Sequence, residues 1–386
     1  MKLKSVLKIS FCLILIVCLL TPSVFGYVPF GCKWSDHRAS IYYKSSVPSQ
    51  YKTAMGNASS TWNQAGANFS YYNTSSASNA NITVAFESTQ QYPGIAAVTL
   101  RWLNASNRSQ FDRCAITLNS SGNWTTNPGL IQFFENDVET VTLHEFGHTL
   151  GLNESYAIGS IMMTPPPFWT QRTLGNDDKN GVKYIYGVRS ALKSIGLDST
   201  LELNLNHEFN KSYGSTLNDK NLENFDDIVV ITFTYQPISK EDLANNADLI
   251  VRGKVINVLP AYWNTDDGFA PSDKYGEESQ KYEIYHDVVI EINEIYKGKT
   301  ENKTVIFRQI GGAVDNTIRI NLDSINYQKN DDVILYLYKD IENTKVSKSE
   351  FYFAYPVQGE LLVLDNDTIV NSYGEKVDWV EREQYI

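Results

Sequence analysis

The residues best equipped for chemistry lie between positions 144 and 154, where the chain reads His144-Glu145-Phe146-Gly147-His148-Thr149-Leu150-Gly151-Leu152-Asn153-Glu154. Residues four apart on a helix project from one face, one turn from each other. His144 and His148 have that spacing. Two imidazoles so placed can hold one zinc ion and leave room for a third protein ligand and a water. Glu145 stands beside the first imidazole, where its carboxylate can reach that water without binding the metal. It can take the water's proton and pass it to a leaving amine. The alternative is a helix with two idle histidines. Val141, Leu143, Phe146, Leu150 and Leu152 would bury such a helix, so unused polar side chains on it would carry a desolvation cost. The spacing therefore predicts metal-assisted hydrolysis.

Three helices are expected to position these groups. One runs from about Asn136 to Leu150; Asp137 and Glu139 favour its N-terminal end, and Gly151 can take the left-handed conformation that stops it. A second covers about Asp177 to Tyr186, with Asn176 as N-cap and Gly187 beyond its end. A third, Tyr51 to Ala65, carries apolar residues at Tyr51, Met55, Trp62 and Ala65 and ends near Gly66. Short apolar alternations at Ala39–Lys44, Asn81–Phe86 and Cys114–Leu118 read as strands bounded by turn residues.

Around this frame the sequence resembles the metzincins, and within them the matrixin-like metallopeptidases, over about residues 27–187. The metzincin pattern is His-Glu-x-x-His-x-x-Gly-x-x-His followed by a methionine turn. Gly151 occupies the glycine, Ser160-Ile161-Met162 looks like the methionine turn (with Met163 the less favoured register), and Leu174 to Gly187 is similar to the closing helix. The resemblance implies an α+β fold, a twisted mixed sheet with three helices, and one catalytic zinc ion (Zn2+). It places Met162 as a floor beneath the metal and Thr164-Pro165-Pro166-Pro167-Phe168-Trp169 as the wall past the scissile bond. One position departs: Glu154 stands where the family has its third histidine. A carboxylate is a legitimate zinc ligand, so Glu154 is expected to complete the set. Otherwise the third ligand is sought among His37, His207 and His286.

The chain begins with a basic segment, Lys2, Lys4 and Lys8, and an apolar run from Ile9 to Leu20. This reads as a secretory signal over residues 1–26, cleaved after Gly26, with an uncleaved anchor as the alternative. No later stretch is long and apolar enough for a span, so no membrane insertion is expected once the signal is gone. Cleavage would remove Cys12 and Cys18, leaving Cys32 and Cys114 to form one disulfide in an oxidising compartment. A latency role for Cys32, capping the metal, is disfavoured because its surroundings do not match the family's switch motif. Cleavage would also move the net charge from −11 to −14, all of it on residues 188–386, because residues 27–187 hold ten basic and ten acidic side chains. No basic stripe offers itself to nucleic acid or anionic lipid.

Residues 188–238 read as a polar linker with strand character at Ile228–Tyr235. From Ser239 to the end, repeated strand patterns separated by Lys297-Gly298, Gly311-Gly312 and Asp365-Asn366-Asp367 predict a small, acidic all-β barrel or sandwich, whose role the residues do not indicate. The oxygen-rich turns Asp177–Gly181 and Asn264–Gly268 are weak candidates for structural calcium (Ca2+), lacking EF-hand spacing. The expectation is a secreted zinc endopeptidase acting on proteins or peptides. The substrate would lie along an edge strand, the one around Cys114–Asn119. The rival is a secreted binding or adhesion protein with a vestigial peptidase domain. Oligomeric state is left open.

Overall fold

A computed structural model of the chain describes residues 26–89, 94–127, 135–163, 170–189, 225–235, 238–271, 283–339, 346–347, 349, 352–354, 358–364, 367–372, 374, 376–377 and 379. The expected signal (apart from Gly26), most of the expected linker, His207 and the Thr164–Trp169 segment lie outside these residues. Among the described residues, no helix is long and apolar enough to cross a membrane.

The N-terminal part alternates strands and helices: β1 (Arg38–Tyr43), α1 (Ser49–Asn63), β2 (Ser70–Asn73), β3 (Ile82–Glu87), β4 (Ile95–Leu103), β5 (Phe111–Asn119), α2 (Val138–Thr149) and α3 (Asn176–Tyr186). The short strands β6 (Trp124–Thr125) and β7 (Asn136–Asp137) pair in parallel and lead into α2. β1 pairs in parallel with β2 and β3, and β3 with β5, whereas β4 runs antiparallel to β5. This is the mixed sheet with three helices anticipated for the segment. Alternate side chains from one sheet face, such as Ile41, Ile82, Val84 and Ile116, pack with Met55 and Trp62 of α1 and with Leu143 and Phe146 of α2 in one core.

The sheet does not stop at β4. A strand from the expected linker, β8 (Asp227–Tyr235), pairs antiparallel along the outer edge of β4. Two strands from further along the chain, β13 (Gly312–Val314) and β14 (Thr317–Asn321), extend it to the eight-stranded order β13-β14-β8-β4-β5-β3-β1-β2. The boundary expected near residue 238 therefore does not divide one sheet from the other. The strand around Cys114–Asn119, expected at an edge, is interior as β5, flanked by β3 and β4. Its apolar alternation suits either position, and long-range pairing decided between them.

The remaining strands are β9 (Leu249–Val258), β10 (Tyr262–Trp263), β11 (Ile284–Lys297), β12 (Thr304–Ile310), β15 (Asp332–Lys339), β16 (Tyr352–Ala354), β17 (Glu360–Val363) and β18 (Ile369–Val370), with α4 (Lys240–Asn246) ahead of β9. The pairings β9–β11, β11–β12, β12–β16, β16–β15 and β15–β9 close a ring of five strands. Val251, Val288, Ile290, Phe307, Val333 and Leu335 share a core within this second sheet. Tyr262, Tyr285 and Ile310 pack against Val98, Leu100, Ile231 and Phe233, covering the face of the first sheet opposite the helices.

Candidate functional site

Helix α2 is held at its start by Asp137, whose side chain accepts from the Thr140 backbone N–H at 2.9 Å and its hydroxyl at 2.7 Å. Arg172 braces the same carboxylate at 3.0 and 2.5 Å. All twelve helical residues are buried. Three side chains donate to carbonyls along it: the Trp62 indole to Leu143 at 2.8 Å, the Tyr71 hydroxyl to Phe146 at 2.7 Å and the Trp34 indole to Thr149 at 2.8 Å. These bonds fix the helix's axial position, which sets where its histidines point.

The helix ends in a Schellman-type turn: Gly151 N–H donates to His148 O at 3.0 Å and Leu152 N–H to Gly147 O at 3.1 Å. Gly151 has φ +92°, and a Cβ there would come within 2.3 Å of the Cys32 carbonyl oxygen, so glycine is required on both counts. The turn brings residues 152–154 back beneath the helix. The segment is tied down from outside by Asn153 N–H donating to Val28 O at 2.8 Å and Phe30 N–H to Gly151 O at 2.7 Å.

His144 Nε2 and His148 Nε2 lie 3.0 Å apart, and Glu154 Oε1 is 3.3 Å from each. The opposite ring nitrogens are anchored, His144 Nδ1 on Ile161 O at 2.8 Å and His148 Nδ1 on Leu152 O at 2.9 Å. A carbonyl only accepts, so each Nδ1 carries a proton and Nε2 is the atom that each ring, in the neutral form that binds metal, would offer inward as a lone pair. Three converging lone pairs demand a positive centre. Burial alone would lower the His144 pKa, but the charge and hydrogen bond of Glu154 outweigh it and raise it to about 9. Burial would raise that of Glu154, yet the two imidazoles pull it down to about 2. Glu154 Oε2 is buried and has no protein partner. Two imidazole nitrogens and a carboxylate oxygen suit zinc, and this is the one such cluster among the described residues.

Beneath the helix, Met162 packs against Gly147, where a Cβ would meet its sulfur at 2.2 Å. The turn carrying Met162 is pinned by Asp178 of α3, which accepts from Ile161 N–H at 2.8 Å, Gly175 N–H at 2.7 Å, Met162 N–H at 3.3 Å and the Ser160 hydroxyl. Because Ile161 O also anchors His144, Asp178 bears indirectly on the His144–His148–Glu154 cluster. On sequence the Asp177–Gly181 turn is a candidate for calcium. Instead, Asp177 accepts from the Gly26 and Tyr27 amides, each at 2.9 Å, and from Ser155 at 2.7 Å, so both carboxylates serve protein donors. Among the described residues no acidic cluster forms at either proposed calcium turn.

Glu145 is fully buried with both oxygens engaged. Thr99 of β4 donates its hydroxyl to Oε2 at 2.5 Å, and Thr234 of β8 donates to Oε1. Arg101, two residues along β4, is also fully buried; it donates to Asn153 Oδ1 at 3.2 Å and stacks over the Phe30 ring at 4.2 Å. Nothing local in the sequence marks Thr99, Arg101 or Thr234, since their relation to α2 depends on strand register.

Other expected residues lie apart. His37 contacts Asn68 and the Tyr186 ring, and His286 sits on β11 with Nδ1 on Gly311 O at 2.9 Å, so neither joins the cluster. Cys32 and Cys114, expected to pair, are both buried free thiols. The Cys32 thiol donates to Arg108 O at 2.9 Å, a direction that satisfies it without a bridge.

Comparison with known proteins converges on this segment. Residues 36–187 match a family model described as Matrixin. The chain is 31% identical over 169 residues to Metalloendoproteinase 1 of Glycine max, covering 40% of this chain and 53% of that protein. It is 28% identical over 172 residues to Metalloendoproteinase 2-MMP of Arabidopsis thaliana, covering 40% and 43%. It is 41% identical over 64 residues to an interstitial collagenase of Equus caballus, covering 17% and 13%. The chain thus spans about half, or less, of the length of these curated relatives.

Proposed function

We propose, from the premise that residues 36–187 form a matrixin-like metzincin domain, that this chain is a zinc-dependent endopeptidase. The observation that carries the reading is the convergence of His144 Nε2, His148 Nε2 and Glu154 Oε1 one residue from Glu145. In this reading the first three hold the metal and Glu145 is the general base. Zinc held there supplies a Lewis acid and lowers the pKa of bound water toward ~7.

The chain's own residues do the rest. Ile161 O and Leu152 O orient the two imidazoles. Glu145 takes a proton from the attacking water at a carboxylate oxygen and returns it to the leaving amine nitrogen. Met162 supports the helix from below, between the histidine positions. An extended peptide would gain backbone hydrogen bonds beside α2 along the β4 edge that β8 fills in this structure, where Thr99 of β4 meets Glu145. Protein or peptide substrates outside the cell are proposed, the second part on the apolar run Ile9–Leu20 behind three lysines. The acidic β-rich part, residues 239–386, is assigned no active site of its own.

The test is Glu145→Gln in the full chain, with zinc content measured alongside hydrolysis of an internally quenched peptide. Zinc should remain stoichiometric while the rate falls by roughly 10²–10⁴ or more. Retained hydrolysis with zinc bound would reject the assignment.

A further inference from the structure

The strand that should receive substrate is already paired. β4 bonds β5 along one edge, from Ala97 opposite Leu118 to Leu103 opposite Phe111. Along the other it bonds β8, from Ile95 opposite Tyr235 to Trp102 opposite Val229. β8 comes from beyond residue 187, outside the matrixin match. Without it, the outer edge of β4 would be open beside α2.

The side chains of β8 fit that position. Ile228 and Val230 face the core shared with the helices, while Val229, Ile231, Phe233 and Tyr235 face the opposite core. By the same alternation, residues 232 and 234 face α2, and both are threonines. Thr234 donates to Glu145 Oε1, and Thr232 donates to Thr99 O at 3.4 Å. An otherwise apolar strand thus turns polar where it passes the carboxylate, and its Thr234 hydroxyl takes one of the two Glu145 oxygens that could receive a water proton, Thr99 of β4 taking the other. Phe233 N–H donates to Asp323 Oδ2 at 2.6 Å, and β14 holds the far edge of β8 in parallel register.

We infer that β8, residues 227–235, is a built-in occupant of the substrate-strand position and keeps the peptidase latent until it leaves β4. The inference rests on the peptidase reading, but it concerns who occupies the cleft. A peptide must then compete with β8, and its apparent affinity is reduced by the fraction of molecules in which β8 is released.

The experiment uses the zinc-loaded full chain and a tripeptide hydroxamate, which needs both the metal and a free β4 edge. Two variants change β8. Thr232→Pro removes a donor from the middle of a central strand and favours release. Val98→Cys with Phe233→Cys places cysteines at directly opposed positions on β4 and β8, where oxidation can lock the strands together. Thr232→Pro should bind the hydroxamate at least about tenfold more tightly than the unaltered chain, as expected if a tenth or less of the latter is open. The oxidised cysteine pair should not bind it, and reduction should restore the unaltered affinity. Equal binding by the oxidised and reduced forms would overturn the inference, and this arm decides alone if Thr232→Pro does not fold. A released form that binds the hydroxamate yet cleaves no quenched peptide would defeat the peptidase reading and leave the occupancy of the cleft standing.

Discussion

The sulfur of Met162 occupies the space that a side chain on Gly147 would need: a Cβ at that position would approach it to 2.2 Å and the Trp62 ring to 3.0 Å. Gly147 lies inside α2 between the two histidines, where glycine costs up to about 1 kcal/mol against alanine in helix propensity. Close approach of Met162 explains its presence. Gly147→Ala should therefore destabilise the protein, because overpacking of about 1–3 kcal/mol exceeds the propensity gained. Denaturant unfolding checks this, with a parallel loss of zinc affinity as Met162 is pushed from the helix.

Asp178 is expected to matter as much as residues nearer the metal. It accepts from three backbone N–H groups and the Ser160 hydroxyl, and burial still raises its pKa. Asp178→Ala would leave those buried donors without an acceptor, at a cost of about 1–3 kcal/mol for each not resatisfied. Because Ile161 O anchors His144, zinc affinity should also fall about 10–100-fold. Competition with a metallochromic chelator measures the second effect, and thermal unfolding the first.

Zinc uptake by the metal-free protein should release protons at neutral pH. His144 is held up to about 9 and Glu154 down to about 2, so at pH 7 the metal-free pair is imidazolium and carboxylate. The His144 contribution to metal-free stability is fully present below its ordinary value of 6.5 and is lost as pH rises through about 9. The Glu154 contribution is present above 4.5 and is lost as pH falls toward about 2. Zinc affinity should accordingly rise with pH between about 6.5 and 9, since the ring must give up its proton to bind metal. Titration calorimetry in buffers of different ionisation enthalpy counts the protons released.

Replacing Glu154 separates its two roles. Glu154→Ala removes a carboxylate oxygen 3.3 Å from both Nε2 atoms and should weaken zinc binding far more than a surface substitution would. Glu154→His should retain the metal, because a third imidazole is an equally suitable ligand. It replaces an anionic ligand with a neutral one, so the acid limb of the hydrolysis profile should move to lower pH. An unchanged limb in a zinc-loaded Glu154→His protein would count against Glu154 as a ligand.

The helices and their chemistry were readable because their signals are local. Asp137 sits at the start of α2, the histidines are four apart, and Gly151 follows its end, so one helical period and one left-handed turn carry the arrangement. Cys114–Asn119 was readable as a strand but not as an interior one. The Cys32–Cys114 pairing failed because the count of cysteines says nothing about where each thiol points, and Cys32 points to Arg108 O.

By itself, then, the sequence determined that His144, Glu145, His148 and Glu154 would be offered on one helix and the turn after it. Covalent spacing and backbone geometry suffice for that. Only the tertiary structure decided that Asp178 would pin the turn carrying Met162 and that β8 would lie against β4 with Thr234 on Glu145. Both relations join segments distant along the chain. A strand's hydrogen-bonding edge looks the same to any partner, so its choice of neighbour is made by global packing and register rather than by local pattern.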